Sequence, residues 1–186
     1  MTKNTILIVD DEPSVLSSLH RALRSEHWDI ISELSAEQAL ARMRERTIKV
    51  VITDERMAKM QGAEFLSLIR ALYPQTVRIL LTGHASLESA IKVINDAEVF
   101  RFLTKPWNNE NLIQVVRDAL HKYDREQQIM KVFKRYGDQP HMFTDIEKKF
   151  PGISRFIRDK QGVMSLPALS DDELEEVLKL LSPIKI

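Results

Sequence analysis

The sequence predicts an α/β fold: a doubly wound, five-stranded parallel sheet with helices on both faces, an extended fifth helix and a small α+β appendage. Two observations carry this prediction. Five short apolar segments alternate along the chain with five segments of helical apolar spacing. The apolar segments are continuous rather than interrupted at every second residue, which is typical of strands buried on both faces of a parallel sheet.

Each of the five predicted strands is followed by a predicted helix. The strands are residues 5–9, 28–31, 50–53, 77–81 and 99–103. The first helix begins at Pro13, whose missing N–H costs little in a first helical turn. The fifth begins after Asn108 as N-cap, with Trp107 and Leu112 at the spacing of a hydrophobic staple. The helices between them are residues 36–44, 63–72 and 87–94.

The fifth helical pattern continues past the point at which a sheet of this size is covered. It runs to about Tyr136, and Gly137 and Pro140 then end it. The remaining segments are predicted to be a short helix, a hairpin and a last helix that begins with a capping box of Ser170 and Glu173. Their ranges are 144–150, 153–158 with 163–166, and 171–181.

These patterns predict three parts of the chain. Residues 1–121 form the first domain, 122–137 a helical extension, and 138–186 a small interaction module or the remnant of an output region. The chain is 44% hydrophobic and carries 27 Lys+Arg against 27 Asp+Glu, so no overall basic field attracts nucleic acid or a membrane. It has no cysteine, which excludes disulfides and thiolate metal sites. No apolar run is long enough for a signal peptide or membrane span, so we expect a soluble cytoplasmic protein.

Polar side chains follow four of the predicted strands. Asp10 and Asp11 come after the first strand, Asp54 after the third, Thr82 at the end of the fourth, and Lys105 just past the fifth. Ligands of open α/β sheets bind at this carboxyl edge. Three carboxylates without cysteine or histidine make a hard oxygen site suited to Mg²⁺, which also removes their mutual repulsion. An aspartate in such a site can accept a phosphoryl group.

The segments ILIVDDEP, VITDERM, LLTGHA and FLTKPW resemble, in order and spacing, those of response-regulator receiver domains of two-component systems. The resemblance implies a flavodoxin-like sheet of order 2-1-3-4-5, with Asp54 as the phosphoacceptor. It implies that Mg²⁺ is held by Asp10, Asp11, Asp54 and the backbone carbonyl of Arg56. It further implies that Thr82 and Phe102 form a switch pair and that Lys105 is the lysine of the family.

Some residues depart from the commoner family pattern. Ala58 stands where proline often follows the methionine, and Phe102 replaces the commoner tyrosine. Arg56 is long and cationic, and we expect it, with Gly83 and His84, to modulate the site. Taken singly, each motif is most often a turn, a helix cap or a solvated loop. Because all of these motifs are predicted to lie at one edge of the sheet, we favour a functional site over separate turns, caps and loops.

The resemblance implies a regulator that accepts phosphate from a sensor histidine kinase or phosphotransfer protein. It would then switch the face formed by its fourth helix, fifth strand and fifth helix. The rival class is a dehalogenase-like phosphatase, but that needs a D-x-D motif at the first strand. No enzymatic activity is expected beyond self-catalysed phosphorylation and dephosphorylation. The alternative is a receiver fragment of a longer regulator whose catalytic output domain is absent.

The tail is not basic, and the acidic last helix DDELEEVLKLL has the wrong charge for phosphate backbones, so no direct DNA binding is expected. The extended helix suggests a homodimer. Its seam has steps of four and three residues, interrupted by Glu126. The alternative is that the seam packs within its own chain. The seam residues are Leu112, Val116, Ala119, Tyr123, Met130 and Phe133.

Overall fold

The computed structural model describes residues 3–83, 98–136, 144–151, 153, 157–158, 164–165 and 170–181. The chain divides into two compact units, Met1–Leu120 and His121–Ile186. Among the residues so described, no helix combines the length and the apolar character that a membrane crossing requires.

The first unit is built on a five-stranded sheet with the strand order β2-β1-β3-β4-β5. All four neighbouring pairs of strands are parallel. This confirms the predicted fold class and the predicted order. The strands are β1 (Thr5–Val9), β2 (Asp29–Glu33), β3 (Val50–Asp54), β4 (Val77–Thr82) and β5 (Arg101–Thr104).

The described helices of this unit begin at, or within one residue of, their predicted starts. Pro13 is in the first turn of α1, and the Ser35 hydroxyl caps α2 by accepting a hydrogen bond from the Gln38 N–H at 3.3 Å. Asn108 caps the long helix through its side-chain oxygen, which accepts from the Asn111 N–H at 3.0 Å. The predicted helix 87–94 lies outside the described residues. The helices are α1 (Pro13–Leu23), α2 (Ala36–Glu45), α3 (Gly62–Leu72) and the long helix α4 (Asn109–Tyr136), with a 3₁₀ turn at Arg24–Glu26.

The three central strands are buried along their whole length, because helices cover both faces of the sheet. On one face, Leu7 and Leu80 pack with Phe65 and Ile69 of α3 in one continuous core. Burying an aliphatic or aromatic side chain of this size contributes about 1.5–3 kcal/mol. This core holds the carboxyl ends of β1, β3 and β4 at one rigid edge.

The second unit contains the end of the long helix and the predicted tail elements. These are α5 (Thr144–Lys149), an antiparallel pair of β6 (Ile157–Arg158) with β7 (Met164–Ser165), and α6 (Asp171–Leu181). The predicted turn at 159–162 and the predicted helix stop at Gly137 and Pro140 lie outside the described residues. Buried apolar residues form a small core of Ile129, Ile146, Ile153, Leu174, Val177 and Leu181.

The capping box of the last helix is present. The Glu173 N–H donates to Ser170 Oγ at 3.3 Å, and the Ser170 N–H donates to Glu173 Oε2 at 2.7 Å. These hydrogen bonds lower the pKa of the Glu173 carboxyl below its usual 4.5.

The predicted dimer seam is buried within the single chain. Leu112, Val116 and Ala119 are fully buried, while Met130 is 3% and Tyr123 8% exposed. The Phe133 side chain lies outside the described part. Side chains that are already buried cannot supply a contact between two chains. The seam prediction is therefore wrong for these five positions, and burial within the chain is the correct alternative.

Candidate functional site

Three of the predicted site residues meet at the carboxyl edge of the sheet. Lys105 Nζ lies 2.6 Å from Asp54 Oδ1 and 2.8 Å from Asp10 Oδ2. Asp10 is fully buried and Asp54 is 8% exposed, whereas the Lys105 side chain is 22% exposed. One ammonium group therefore compensates two buried carboxylates that come from different strands.

The strand register explains why these three side chains meet. Asp54 pairs with Leu81, and Leu81 pairs with Leu103 on β5. Side chains alternate between the faces of a sheet, so Lys105, two residues beyond Leu103, returns to the face of Asp54. Val9 pairs with Thr53, so the next residue on each strand, Asp10 and Asp54, also shares that face. The sequence could predict the common edge, and the register adds the common face.

Backbone N–H groups fix the orientation of both buried carboxylates. The Glu12 N–H donates to Asp10 Oδ1, and the Arg56 N–H donates to Asp54 Oδ2, each at 2.9 Å. Each contact joins an aspartate to the backbone two residues later, which is the usual aspartate turn. The remaining oxygen of each carboxylate is left to face Lys105.

Burial and pairing act in opposite directions on the titration of the site. Burial raises the pKa of the Asp10 carboxyl above its usual 3.8, although hydrogen bonds from Lys105 and from the Glu12 N–H oppose the rise. Burial, the largest single influence, disfavours the Lys105 ammonium, but the hydrogen bonds to Asp10 and Asp54 and the attraction of their charges together outweigh it and raise the pKa of Lys105 above 10.5. The lysine is consequently a fixed positive charge at neutral pH.

Asp11 has a different partner. It is exposed, and its Oδ2 accepts a hydrogen bond from the Ala58 N–H at 2.9 Å. The contact ties the loop after β1 to the loop after β3. Sequence reasoning placed Asp11 at the correct edge and did not predict that the backbone of Ala58 engages it.

The donor set fits a hard divalent cation. Within the described ranges, no three Asp, Glu or His side chains are arranged so as to enclose a metal ion. However, Asp10 and Asp54 already converge on one positive charge, and Asp11 adds a third carboxylate that is exposed and adjacent in sequence. An all-oxygen set of this kind suits Mg²⁺.

Thr82 lies beside these residues but on the other face of the sheet. Its side chain is on the face of Leu80, and its hydroxyl donates to Glu55 Oε2 at 2.5 Å. Its backbone carbonyl accepts from the Lys105 N–H at 2.7 Å. Thr82 is therefore joined to Lys105 through the backbone and to Glu55 through the side chain. Sequence reasoning missed Glu55, because placing it opposite Thr82 requires the register of β3 against β4.

Phe102 lies on the same face as Thr82. It pairs with Leu80 on β4, two residues before Thr82, and it packs half-buried against the core. Arg56 is exposed, and its Nη2 is 3.6 Å from the position that a Cβ on Gly83 would occupy. The guanidinium therefore lies at the end of β4. His84 is outside the described residues.

Gly62 is a second residue that sequence reasoning missed. It is the first residue of α3, and its N–H donates to the Glu55 carbonyl at 2.9 Å. A Cβ at this position would lie 2.0 Å from the Asp54 carbonyl oxygen. Only glycine allows the start of α3 to approach the backbone of Asp54 this closely. The signal in the sequence is a glycine directly before the predicted start of a helix at residue 63.

The comparison with protein families agrees with this geometry. The sequence profile described as "Response regulator receiver domain" matches residues 6–117, which include every described residue of the site. The chain belongs to the response regulator receiver domain family.

Individual relatives and structures point the same way. The chain is 30% identical over 161 residues to the "Hydrogenase transcriptional regulatory protein HoxA" of Bradyrhizobium diazoefficiens, covering 87% of this chain and 31% of the relative. It thus spans less than a third of the length of such curated relatives. Because these relatives are transcriptional regulatory proteins, they give no support to the expectation that the chain avoids DNA.

Two solved receiver domains superpose on the chain. The signal receiver domain of an HD domain-containing protein from Pseudomonas fluorescens Pf-5 has a TM-score of 0.66 and 33% identity, covering 69% of this chain and 94% of that one. The beryllofluoride-activated NtrC4 receiver domain dimer has a TM-score of 0.61 and 30% identity, covering 64% and 98%. The chain is a response regulator by this family membership.

Proposed function

We propose that Asp54 is the phosphoacceptor of this response regulator and that a sensor histidine kinase or a phosphotransfer protein is the donor. The observation that carries the proposal is the contact of Lys105 with both Asp54 and Asp10. A buried carboxylate at a sheet edge, paired with a lysine and backed by two more carboxylates, has the chemistry that phosphoryl acceptance requires.

In the proposed reaction, an oxygen of Asp54 attacks the phosphorus of the donor in line. An oxygen–phosphorus bond forms on Asp54, and the bond from phosphorus to the imidazole nitrogen of the donor breaks. The electron pair of that bond stays on the imidazole, which takes up a proton from water. Lys105 then faces the new negative charge on the phosphoryl oxygens instead of the charge of the carboxylate.

Asp10, Asp11 and Asp54, with the backbone carbonyl of Arg56, would hold Mg²⁺ in this proposal. When bound, the ion neutralises the negative charge that gathers as phosphate approaches the carboxylates. Asp10 is well suited to this role because it is buried and its orientation is fixed by the Glu12 N–H. We propose no catalytic activity beyond the addition and loss of this phosphoryl group.

The proposed response begins at Thr82. Its hydroxyl would leave Glu55 and donate to a phosphoryl oxygen, and Phe102 on the same face would follow into the space that Thr82 vacates. Their common face and the half-burial of Phe102 support this pairing. The added charge would then shift the equilibrium between two arrangements of the surface beside β5 and the long helix. The arrangement with Phe102 inward would bind the downstream partner.

We also propose that the phosphorylated chain forms a homodimer and that residues 138–186 serve as an interaction module. The likeness to the NtrC4 receiver, described as a beryllofluoride-activated dimer, supports the first part. The contact must use surfaces other than the buried seam of the long helix. The compact apolar core of the second unit supports the second part.

Labelling by a small phosphodonor tests the acceptor assignment. Acetyl phosphate with Mg²⁺ should add one phosphoryl group to the intact chain, as measured by mass spectrometry, and chelation of Mg²⁺ should prevent it. The Asp54→Asn variant should remain unlabelled. Labelling of that variant to the level of the unmodified chain would overturn the assignment.

A further inference from the structure

Glu55 holds the one hydrogen that the proposed switch residue can donate. Thr82 is 3% exposed, and its hydroxyl donates to Glu55 Oε2 at 2.5 Å. A threonine hydroxyl has a single hydrogen, so it donates one strong hydrogen bond at a time. While it donates to Glu55, that hydrogen is not available to an oxygen on Asp54.

The backbone fixes Glu55 in this place. The Glu55 N–H donates to the Leu81 carbonyl at 2.8 Å, which extends the β3–β4 ladder by one residue. The Glu55 carbonyl accepts from the Gly62 N–H at 2.9 Å, at the start of α3. Since Asp54 pairs with Leu81, the next step of the register places Glu55 opposite Thr82. The carboxylate is therefore built into the edge of the sheet beside the acceptor and is not on a free loop.

The two hydroxyl partners lie on opposite sides of the sheet edge. Thr82 and Glu55 share the face of Leu80, whereas Asp54 is on the other face with Lys105. To reach a phosphoryl group on Asp54, the Thr82 hydroxyl must break the bond to Glu55 and cross the edge. A hydrogen bond to a charged acceptor is about twice as strong as one between neutral groups.

We propose that Glu55 is a positioning residue that sets how readily the site accepts and responds to phosphate. It holds the Thr82 hydroxyl in the unphosphorylated arrangement and competes with the phosphoryl group for its hydrogen. The inference rests on the proposed role of Asp54 as acceptor. When the Glu55 carboxylate is removed, the response should occur with a smaller fraction of the sites carrying a phosphoryl group or its mimic.

A rival explanation is charge alone. Glu55 is next to Asp54 in sequence, so its negative charge would repel an incoming anion whether or not Thr82 is present. Competition for hydrogen acts only through the Thr82 hydroxyl. A double-mutant cycle separates the two effects, because only the competition disappears when the hydroxyl is removed.

The experiment measures the affinity of the full chain for beryllofluoride in the presence of Mg²⁺, followed by NMR. Glu55→Ala and the near-isosteric Glu55→Gln are each made in the unmodified chain and with Thr82→Val. The matched control is Glu12→Ala, which removes an exposed carboxylate near the same edge. Glu55→Gln keeps the shape of the side chain, so it preserves the test if Glu55→Ala fails to fold.

With the Thr82 hydroxyl present, Glu55→Ala should tighten beryllofluoride binding by roughly tenfold, the value of one hydrogen bond to a charged group. In the Thr82→Val background, the increase in beryllofluoride affinity caused by Glu55→Ala should shrink to the increase that Glu12→Ala causes. The methyl resonance of Thr82 in ligand-free Glu55→Ala should move towards its position in the bound unmodified chain. The beryllofluoride affinity of Glu55→Gln should lie between those of the unmodified chain and Glu55→Ala, because the amide oxygen still accepts a weaker hydrogen bond from Thr82.

Equal gains with and without the hydroxyl would show that charge alone acts, and would overturn the inference, as would no gain at all with Thr82 present. These outcomes leave the acceptor assignment intact as long as the unmodified chain binds beryllofluoride. If that chain does not bind it, the proposed role of Asp54 fails instead.

Discussion

Lys105 Nζ lies 2.6 Å from Asp54 Oδ1, and the same ammonium lies 2.8 Å from Asp10 Oδ2. This contact joins the residue after β5 to the end of β3 and the residue after β1. The ammonium group offsets the repulsion between the two carboxylates that are buried at this sheet edge. The ion pair is thus part of the stability of the fold as well as part of the site.

The first prediction concerns the stability that Lys105 contributes at alkaline pH. Burial lowers its folded-state pKa, but hydrogen bonds to Asp10 and Asp54 and the charges of those residues together raise it above 10.5. This contribution is fully present below 10.5 and is lost as pH rises through the higher folded-state pKa. Lys105→Met should be less stable by about 1–3 kcal/mol at neutral pH, because two carboxylates lose a donor.

Urea unfolding of both proteins from neutral pH to about pH 11 measures this difference. The difference in the free energy of unfolding between the unmodified chain and Lys105→Met should become smaller at alkaline pH. All other lysines titrate in both proteins, so they cancel. A gap that stays constant or widens with pH would contradict the account.

The second prediction concerns the close approach at Gly62. Gly62→Ala would place a Cβ 2.0 Å from the Asp54 carbonyl oxygen, so the backbone must shift. We expect a loss of about 1–3 kcal/mol in the free energy of unfolding and reduced labelling of Asp54. Gly83→Ala is the matched control, because among the described residues its Cβ would meet Arg56 Nη2 alone, at 3.6 Å. If both variants have the stability of the unmodified chain, the close approach does not constrain the site.

The third prediction separates metal binding from phosphoryl acceptance. Asp11 is exposed and holds the Ala58 N–H, so Asp11→Asn should leave the fold and the Asp54 carboxylate in place. It should weaken Mg²⁺ binding, measured by calorimetry, by at least about tenfold. Labelling by acetyl phosphate should return at higher Mg²⁺ concentration. Unchanged Mg²⁺ affinity would remove Asp11 from the proposed metal set.

The fourth prediction separates acceptance from response. Thr82→Ala removes the hydroxyl but neither Lys105 nor any carboxylate, so labelling of Asp54 should largely persist. The change in the Phe102 ring resonances on beryllofluoride binding should disappear, because the movement of Thr82 that opens its space no longer occurs. A Phe102 response of normal size in this variant would show that the switch pair is assigned wrongly.

The sequence was sufficient for the sheet and for the common edge of the site. Continuous apolar strands predicted a parallel sheet, and the resemblance of the ordered motifs to receiver domains implied its strand order. The positions of Asp10, Asp54 and Lys105 after their strands placed these residues at one edge. Glu55 and Gly62 required the register of β3 against β4 and the approach of α3, which apolar periodicity does not encode. The seam of the long helix was misassigned because periodic spacing identifies a buried stripe without indicating which chain buries it.

Chemical trapping locates the phosphoryl group, which we propose is carried by Asp54. The full chain is treated with acetyl phosphate and Mg²⁺, and borohydride then reduces the acyl phosphate to an alcohol, which converts the modified aspartate to homoserine. Peptide mapping by mass spectrometry locates the change. We expect homoserine at position 54 and unmodified aspartate at positions 10 and 11. Homoserine at either of those two positions, with Asp54 unmodified, would contradict this assignment.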